Sequence, residues 1–229
     1  MKCVILAAGE GIRMRPLTLD MPKPMLPIVG QPILEHIIAA LPEEITEIIF
    51  VIGYLGDKII QHFGNEYQGR KIQYVWQKKK LGTANALLLC KELLEDQRFL
   101  LMYADDLHAS ESISQCLLHE RSFLVMEHSD PCRFGVVSVD ENGNMTEIVE
   151  KPEHPTSNLV SIGVMVLDDK IFQYTPELHS SGEYYLPTMI NQMAKEHLIA
   201  TVKAEHWFPI ATPEHLAEAE KHIHLFKKQ

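Results

Sequence analysis

Near the start of the chain, a pair of small-residue positions and three cations stand close together: Gly9, Gly11, Arg13, Arg15 and Lys23. Small residues let backbone N–H groups approach an anion, and cations balance its charge, which is the chemistry of a polyphosphate cradle. Two common cradles are excluded. Gly9-x-Gly11 leads to Met14 where a dinucleotide fingerprint needs a third glycine, and no Gly-Lys-Ser/Thr of a Walker loop follows. Far downstream, the apolar run Phe99–Ala104 leads directly into Asp105-Asp106. A carboxylate just past a buried strand is held firmly and can bind a hard divalent ion together with phosphates. Mg²⁺ takes one or two protein carboxylates and completes its shell with phosphate and water. Asp105 is the candidate metal ligand; Asp106 and His108 are possible helpers, though they read more readily as solvated loop residues.

These residues need elements to position them. Strand-like Cys3–Leu6, Glu47–Ile52, Lys71–Trp76 and Arg98–Tyr103 alternate with helical patterns. The helices are predicted over residues 33–41 behind Pro32, from Leu55 to Phe63 with Gly64 as stop, and from Ala84 to Leu94. This β-α-β-α-β rhythm predicts an α/β fold with a mainly parallel sheet, covered by helices on both faces. Ligands in such sheets bind beyond the carboxyl ends of strands, where Gly9–Arg15 and Asp105 both lie. Ser110 is placed as the N-cap of a helix to Glu120. The second half is richer in strands: Phe123–Glu127, Phe134–Val139, Met145–Glu150 after an Asn142-Gly143 hairpin turn, and Val160–Leu167. A helix over Tyr184–His197 must take Pro187 in its first turn or bend. Leu198–Val202 and Trp207–Ile210 are short extended runs, and Thr212-Pro213-Glu214 caps a closing helix to Phe226.

The chain of 229 residues is 46% hydrophobic and 23% charged, as expected of a soluble globular protein. It is expected to be one domain, 1–229, with a first half (1–120) that carries the anion cradle and a second half (121–229) forming a β-rich lip. Lys+Arg 21 against Asp+Glu 31 gives a net charge of −10, which disfavours nucleic acid as a partner. The N-terminal apolar run is too short for a signal peptide or membrane span. Cys3, Cys90, Cys116 and Cys132 show no metal-ligand spacing and read as reduced thiols of a cytoplasmic protein. Oligomeric state is not readable.

Leu6-Ala7-Ala8-Gly9-x-Gly11-x-Arg13-Met14-x-Pro16-Leu17-Thr18, followed by Pro22-Lys23-Pro24-Met25-Leu26-Pro27, resembles the signature of the sugar-1-phosphate nucleotidylyltransferases. The resemblance implies the core domain of that family, a Rossmann-like, three-layer, GT-A-like fold with a sugar-binding lip. It places the nucleotide against Leu6, Ala8, Gly9, Gly11, Arg13, Arg15 and Lys23. Gln77, with Gly82 and Thr83 of Leu81-Gly82-Thr83-Ala84, would meet the base end, beside Lys78-Lys79-Lys80, which reads as a solvated run. Asp105 takes the place of the family's Mg²⁺ aspartate, after Ala104 where the family has glycine. Glu147–Pro152 resembles the family's Glu-Lys-Pro segment, so Lys151 would meet the sugar phosphate and Glu150 the sugar hydroxyls. Gly135 and Ser161 complete that side, with Ser161 standing where asparagine is common.

The resemblance thins towards the C-terminus. The family carries a second metal aspartate in Trp-x-Asp-x-Gly-Thr-Pro. Here Trp207-Phe208-Pro209-Ile210-Ala211-Thr212-Pro213 puts Pro209 at that place. Gly182–Thr188 also lacks a terminal aspartate, and no substitute such as Glu183 or His206 has spacing in its favour. The expected reaction is transfer of a nucleotidyl group from a nucleoside triphosphate to a sugar 1-phosphate or a similar phosphorylated small molecule, with Mg²⁺ and release of pyrophosphate. Arg13 and Lys23 are the expected catalytic residues. The wording Ala7-Ala8-Gly9 with Arg13-Met14 leans towards a pyrimidine base. Two other readings stand beside this one. One is a homologue that binds these ligands without turnover, favoured by Pro209. The other is a glycosyltransferase, for which Asp106-Leu107-His108 is a poor Asp-x-Asp.

Overall fold

The structure, a computed structural model, describes residues 1–179 and 181–226. In chain order its elements are β1 (Lys2–Ala7), β2 (Pro27–Ile28), β3 (Gln31–Pro32), α1 (Ile33–Ala39), β4 (Glu47–Ile52), α2 (Gly56–Phe63), β5 (Glu66–Tyr67), β6 (Arg70–Trp76), α3 (Thr83–Leu88), β7 (Arg98–Tyr103), β8 (Asp106–His108) and α4 (Ser110–Leu117). The second half continues with β9 (Ser122–Glu127), β10 (Gly135–Val139), β11 (Met145–Glu150), β12 (Leu159–Asp168), α5 (Leu186–Ala194), β13 (Ala200–Lys203), β14 (Trp207–Pro209) and α6 (Pro213–His222).

The centre of the ten-stranded sheet is β7-β1-β4-β6, all parallel. Its side chains alternate between two helical layers, as the period of two along a strand requires. Ile48, Phe50 and Ile52 of β4 join the core beneath α1, α2, α4 and α6, whereas Ile49 and Val51 join the core beneath α3 and α5. That is the expected three-layer α/β arrangement. The chain steps from β1 out to β4 and β6, then returns to place β7 on the other side of β1. The loops leaving β1 and β7 therefore diverge, and a crevice opens between them. Gly9–Arg13 follows β1, and Asp105 follows β7.

The later strands join antiparallel through β12. Its C-terminal half pairs with β7, and its N-terminal half pairs with β10, with a register shift against β9 between Ser161 and Met165. β11 extends β10, and β13 pairs with β9 and bridges back to the β10–β11 turn through Ala200 and Asn144. At the turn, Asp140 accepts from the Asn144 side-chain amide at 3.0 Å and from the backbone amides of Asn144 and Asn142, and these hold its pKa below the ordinary carboxylate value.

Several predicted boundaries shift. The helix after Gly82 ends at Leu88, and residues 91–93 form a separate 3-10 turn. Ser110 is the first helical residue and not the cap, and its carbonyl accepts from Ser114 Oγ at 2.9 Å. Helix α5 starts at Leu186 with Pro187 in its first turn. Thr212 does cap α6, its Oγ1 accepting from the His215 amide, and a 3-10 turn finishes at Phe226. All four cysteines are free, Cys132 alone being exposed. Among the described residues no helix is long and apolar enough to cross a membrane.

Candidate active site

The crevice is a cleft of two lobes, about 400 and 410 Å³, which share Arg13, Tyr103, Asp105 and Ala211. The first lobe is lined by Leu6, Ala8, Gly9, Gly11, Arg13, Lys23, Gln77, Gly82, Thr83 and Asp105. The second is lined by Arg13, Asp105, Gly135, Glu150, Lys151 and Ser161. Of the residues expected to hold nucleotide, sugar phosphate or metal, Arg15 alone lies outside both lobes. Its exposed side chain pairs with Glu10 at 3.6 Å, just after the 3-10 turn over Ile12–Met14 that carries Arg13. The expectation that Arg15 faces the nucleotide is not met in this geometry.

Local geometry explains the glycine loop. Gly11 sits in the left-handed region at φ 61°, and a Cβ there would stand 2.9 Å from Lys23 Cβ. Thr18 Oγ1 donates to the Gly11 carbonyl at 2.9 Å, so the loop is clamped over the lysine. Lys23 is buried, and its Nζ reaches Asp105 Oδ2 at 3.0 Å. The cation and carboxylate predicted for two different tasks thus face each other at the junction of the lobes.

At the far end of the first lobe, Gln77 Nε2 donates to the Gly82 carbonyl at 3.0 Å and to Asn85 Oδ1 at 3.1 Å. The Thr83 hydroxyl accepts from the Leu186 amide at 3.1 Å, and Gly82 is the helix cap. Lys80 does not behave as a purely solvated cation. It lines the lobe and pairs with Glu183 at 3.4 Å, so residues from both halves meet at this rim.

Sheet register assembles the second lobe. Gly135 of β10 is opposite Glu150 of β11 and also opposite Ser161 of β12. Lys151 follows at once, pairing with Glu150 at 3.2 Å. Its backbone takes φ 45°, an uncommon conformation for a residue with a side chain, held by its amide donating to Phe134 O at 2.9 Å.

Asp106 and His108 are not solvated loop residues. They belong to β8, which pairs antiparallel with β14, bringing Asp106 opposite Pro209 and His108 opposite Trp207. Trp207 Nε1 donates to Asp106 Oδ2 at 2.9 Å. Burial, and then the charge of Asp105, push the Asp106 pKa up. Tyr103 was not singled out in the sequence, although it lines both lobes from the last position of β7. The signal was available, since it immediately precedes the Ala104-Asp105 step. Burial, followed by the Glu150 charge, raises its pKa, so the phenol stays neutral.

His108 is buried, with Nε2 donating to Ile162 O at 2.6 Å and Nδ1 without a hydrogen-bond partner among the described residues. Burial lowers its pKa from 6.5 to about 4. The unfolded chain therefore takes up this proton first as pH falls. The stability linked to neutral His108 is complete above pH 6.5 and is lost towards pH 4. Between pH 7 and 5 the native chain should lose about 2 kcal/mol more than a His108→Gln variant in denaturant titrations. The raised Asp106 pKa works in the opposite sense, but it is common to both chains. Equal losses would contradict the role of His108.

The donor set at the junction fits Mg²⁺. Asp105 is half-exposed to the cleft, and Asp106 lines the second lobe beside it. One or two carboxylates, with phosphate and water completing the shell, is the usual protein contribution to that ion.

Known proteins share this architecture. A Bacillus anthracis protein assigned as a glucose-1-phosphate thymidylyltransferase, solved with sucrose, superposes with a TM-score of 0.85 at 28% identity, covering 97% of this chain and 95% of that one. A UDP-glucose pyrophosphorylase solved with UDP-glucose gives 0.84 at 23% identity over 97% and 98%, a likeness of fold. The UTP–glucose-1-phosphate uridylyltransferase AglF of Haloferax volcanii is 34% identical over 97% of this chain and 96% of its own length. The bifunctional protein GlmU of Methanocaldococcus jannaschii is also 34% identical, but the 97% of this chain that matches spans only 54% of that relative. The family model described as nucleotidyl transferase matches residues 2–225, and with these relatives it shows that the chain belongs to the nucleotidyl transferase family, among the sugar-phosphate nucleotidyltransferases.

Proposed function

We propose that this protein transfers a nucleotidyl group from a pyrimidine nucleoside triphosphate to a sugar 1-phosphate and releases pyrophosphate, with Mg²⁺ bound at Asp105. The observation that carries the reading is the two-lobed cleft, whose lobes meet at Arg13 and Asp105. One lobe suits a nucleotide and the other a phosphorylated sugar, so two substrates can meet at a shared wall. The acceptor oxygen is already anionic, and in-line attack on the α-phosphorus needs no general base. Positioning and charge neutralisation then carry the catalysis. Arg13 faces the reacting phosphoryl group, Lys23 the triphosphate, and Lys151 the acceptor phosphate, while Glu150 accepts from sugar hydroxyls. Bound Mg²⁺ would neutralise charge on nucleotide oxygens.

Uridylyl transfer is named for the Haloferax volcanii relative and thymidylyl transfer for the Bacillus anthracis protein, which supports a pyrimidine base. A pyrophosphate-release screen across triphosphates and sugar 1-phosphates, with and without Mg²⁺, tests the proposal. Release is expected only with both substrates and the metal, and fastest with a pyrimidine triphosphate. Pro209 favours one competing reading, a binding protein without turnover. Triphosphate binding by calorimetry, with no release from any pair, would establish that reading instead.

A further inference from the structure

The cleft has a second carboxylate beside Asp105, contributed by a strand and not by the C-terminal segment. Residues opposite one another in an antiparallel pair project from the same face, with Cβ atoms about 4.5–5.5 Å apart. Asp106 and Pro209 are such a pair, and both line the second lobe next to Asp105. A side chain on residue 106 therefore serves the same face as a side chain on residue 209. Proline brings no ligand atom to that face, whereas Asp106 brings two oxygens. Lys23 is committed to Asp105, and Asp106 has no ion pair among the described residues. Trp207 Nε1 holds Asp106 Oδ2, and the Ile210 amide donates to Asp105 O at 3.1 Å, so the ribbon orients one carboxylate and anchors the loop bearing the other.

We infer that Asp106 supplies the second protein carboxylate of the divalent-metal site, in place of an aspartate at residue 209. The β8–β14 ribbon would thus offer the junction of the lobes a carboxylate from β8 where β14 carries proline. This inference rests on the proposed function, because the metal is placed by the nucleotide it accompanies.

Mn²⁺ binding followed by electron paramagnetic resonance, with a non-hydrolysable triphosphate analogue present, tests it without reference to turnover. Asp106→Asn keeps an oxygen to accept from Trp207 and removes the charge. It should weaken Mn²⁺ binding by ~10-fold or more with an unchanged melting curve. Pro209→Asp in the Asp106→Asn background should recover most of the loss. Unchanged Mn²⁺ affinity in Asp106→Asn overturns the inference, as does a loss that Pro209→Asp fails to recover. If Asn at residue 106 unfolds the chain, the unmodified protein decides. With ¹³C-labelled aspartate, Mn²⁺ should broaden two carboxyl resonances beyond all others, and broadening of only one overturns the inference. Binding of the analogue without metal is measured in parallel. If no triphosphate binds, the proposed function fails; if it binds beside a one-carboxylate metal site, only the present inference does.

Discussion

Replacing Arg13 with alanine should slow pyrophosphate release by ~10²–10³-fold, the usual cost of removing one preorganised charge from a transition state. The reason lies in its position. Arg13 lines both lobes, so its guanidinium stands where the nucleotide and the acceptor would meet. Its side chain is exposed and engaged in no hydrogen bond or ion pair among the described residues. Truncation therefore breaks no structural contact, and stability should stay within about 0.5 kcal/mol, as for ordinary surface substitutions. Under the proposed mechanism the guanidinium would act on charge developing at the phosphoryl group, so the defect should fall on the rate more than on substrate affinity. Single-turnover measurements separate the two. A variant that releases pyrophosphate at close to the native rate would remove Arg13 from the mechanism.

Gly82→Ala should be the most damaging single-atom change in the cleft. Gly82 takes φ 91°, and a Cβ there would collide with the Tyr184 carbonyl oxygen and stand 2.8 Å from the Tyr184 nitrogen. Both obstacles are backbone, so no side chain can rotate aside. Tyr184 is itself fixed by its amide donating to Leu81 O at 2.8 Å and by its carbonyl accepting from the Ala84 amide at 3.0 Å. A strained φ and overpacking each cost about 1–3 kcal/mol. Together they should lower the melting temperature by roughly 5–15 °C in a chain of this size. Triphosphate binding should weaken as well, because the Gln77 amide is positioned by the Gly82 carbonyl. Thermal melts and calorimetry on the same preparation check both effects. Native values in both would mean that the Tyr184 segment moves aside freely.

The sheet and the cleft were legible in the sequence to different degrees. Glu47–Ile52 and Arg98–Tyr103 become strands with the expected bounds, because buried parallel strands are continuous apolar runs closed by polar or glycine residues. The cleft residues were legible as far as they follow strand ends, where the fold itself gathers them. Arg15 was not, since its place is decided by a single 3-10 turn two residues earlier, and motif spacing does not record which way a side chain leaves such a turn. Helix α3 was overextended because Leu87–Leu89 and Leu93–Leu94 keep an apolar helical rhythm past the point where the backbone tightens into 3-10 geometry. Asp106 and His108 were misread for a deeper reason. Their strand exists only through β14, about a hundred residues away, and no local pattern in three residues announces a partner so distant. The same pairing gives Pro209 a meaning that its position in a motif could not.

One small contact in the second half has a consequence for how the protein behaves in a crowded solution. Asn191 of α5 receives a hydrogen bond from the Ile148 amide at its Oδ1 and donates from Nδ2 to the Ile148 carbonyl at 2.9 Å. A side-chain amide thus imitates a neighbouring strand along the outer side of β11. Ile199 and Gly143 accept from the Met145 and Thr201 amides nearby and close the adjacent stretch. At the opposite margin of the sheet, β5 is only two residues long. Unsatisfied strand margins are templates on which foreign chains can grow, and short strands or covering groups remove them. Asn191 thereby covers the Ile148 position of that margin, one place fewer where a foreign strand could pair, and it does so directly behind the wall of the second lobe.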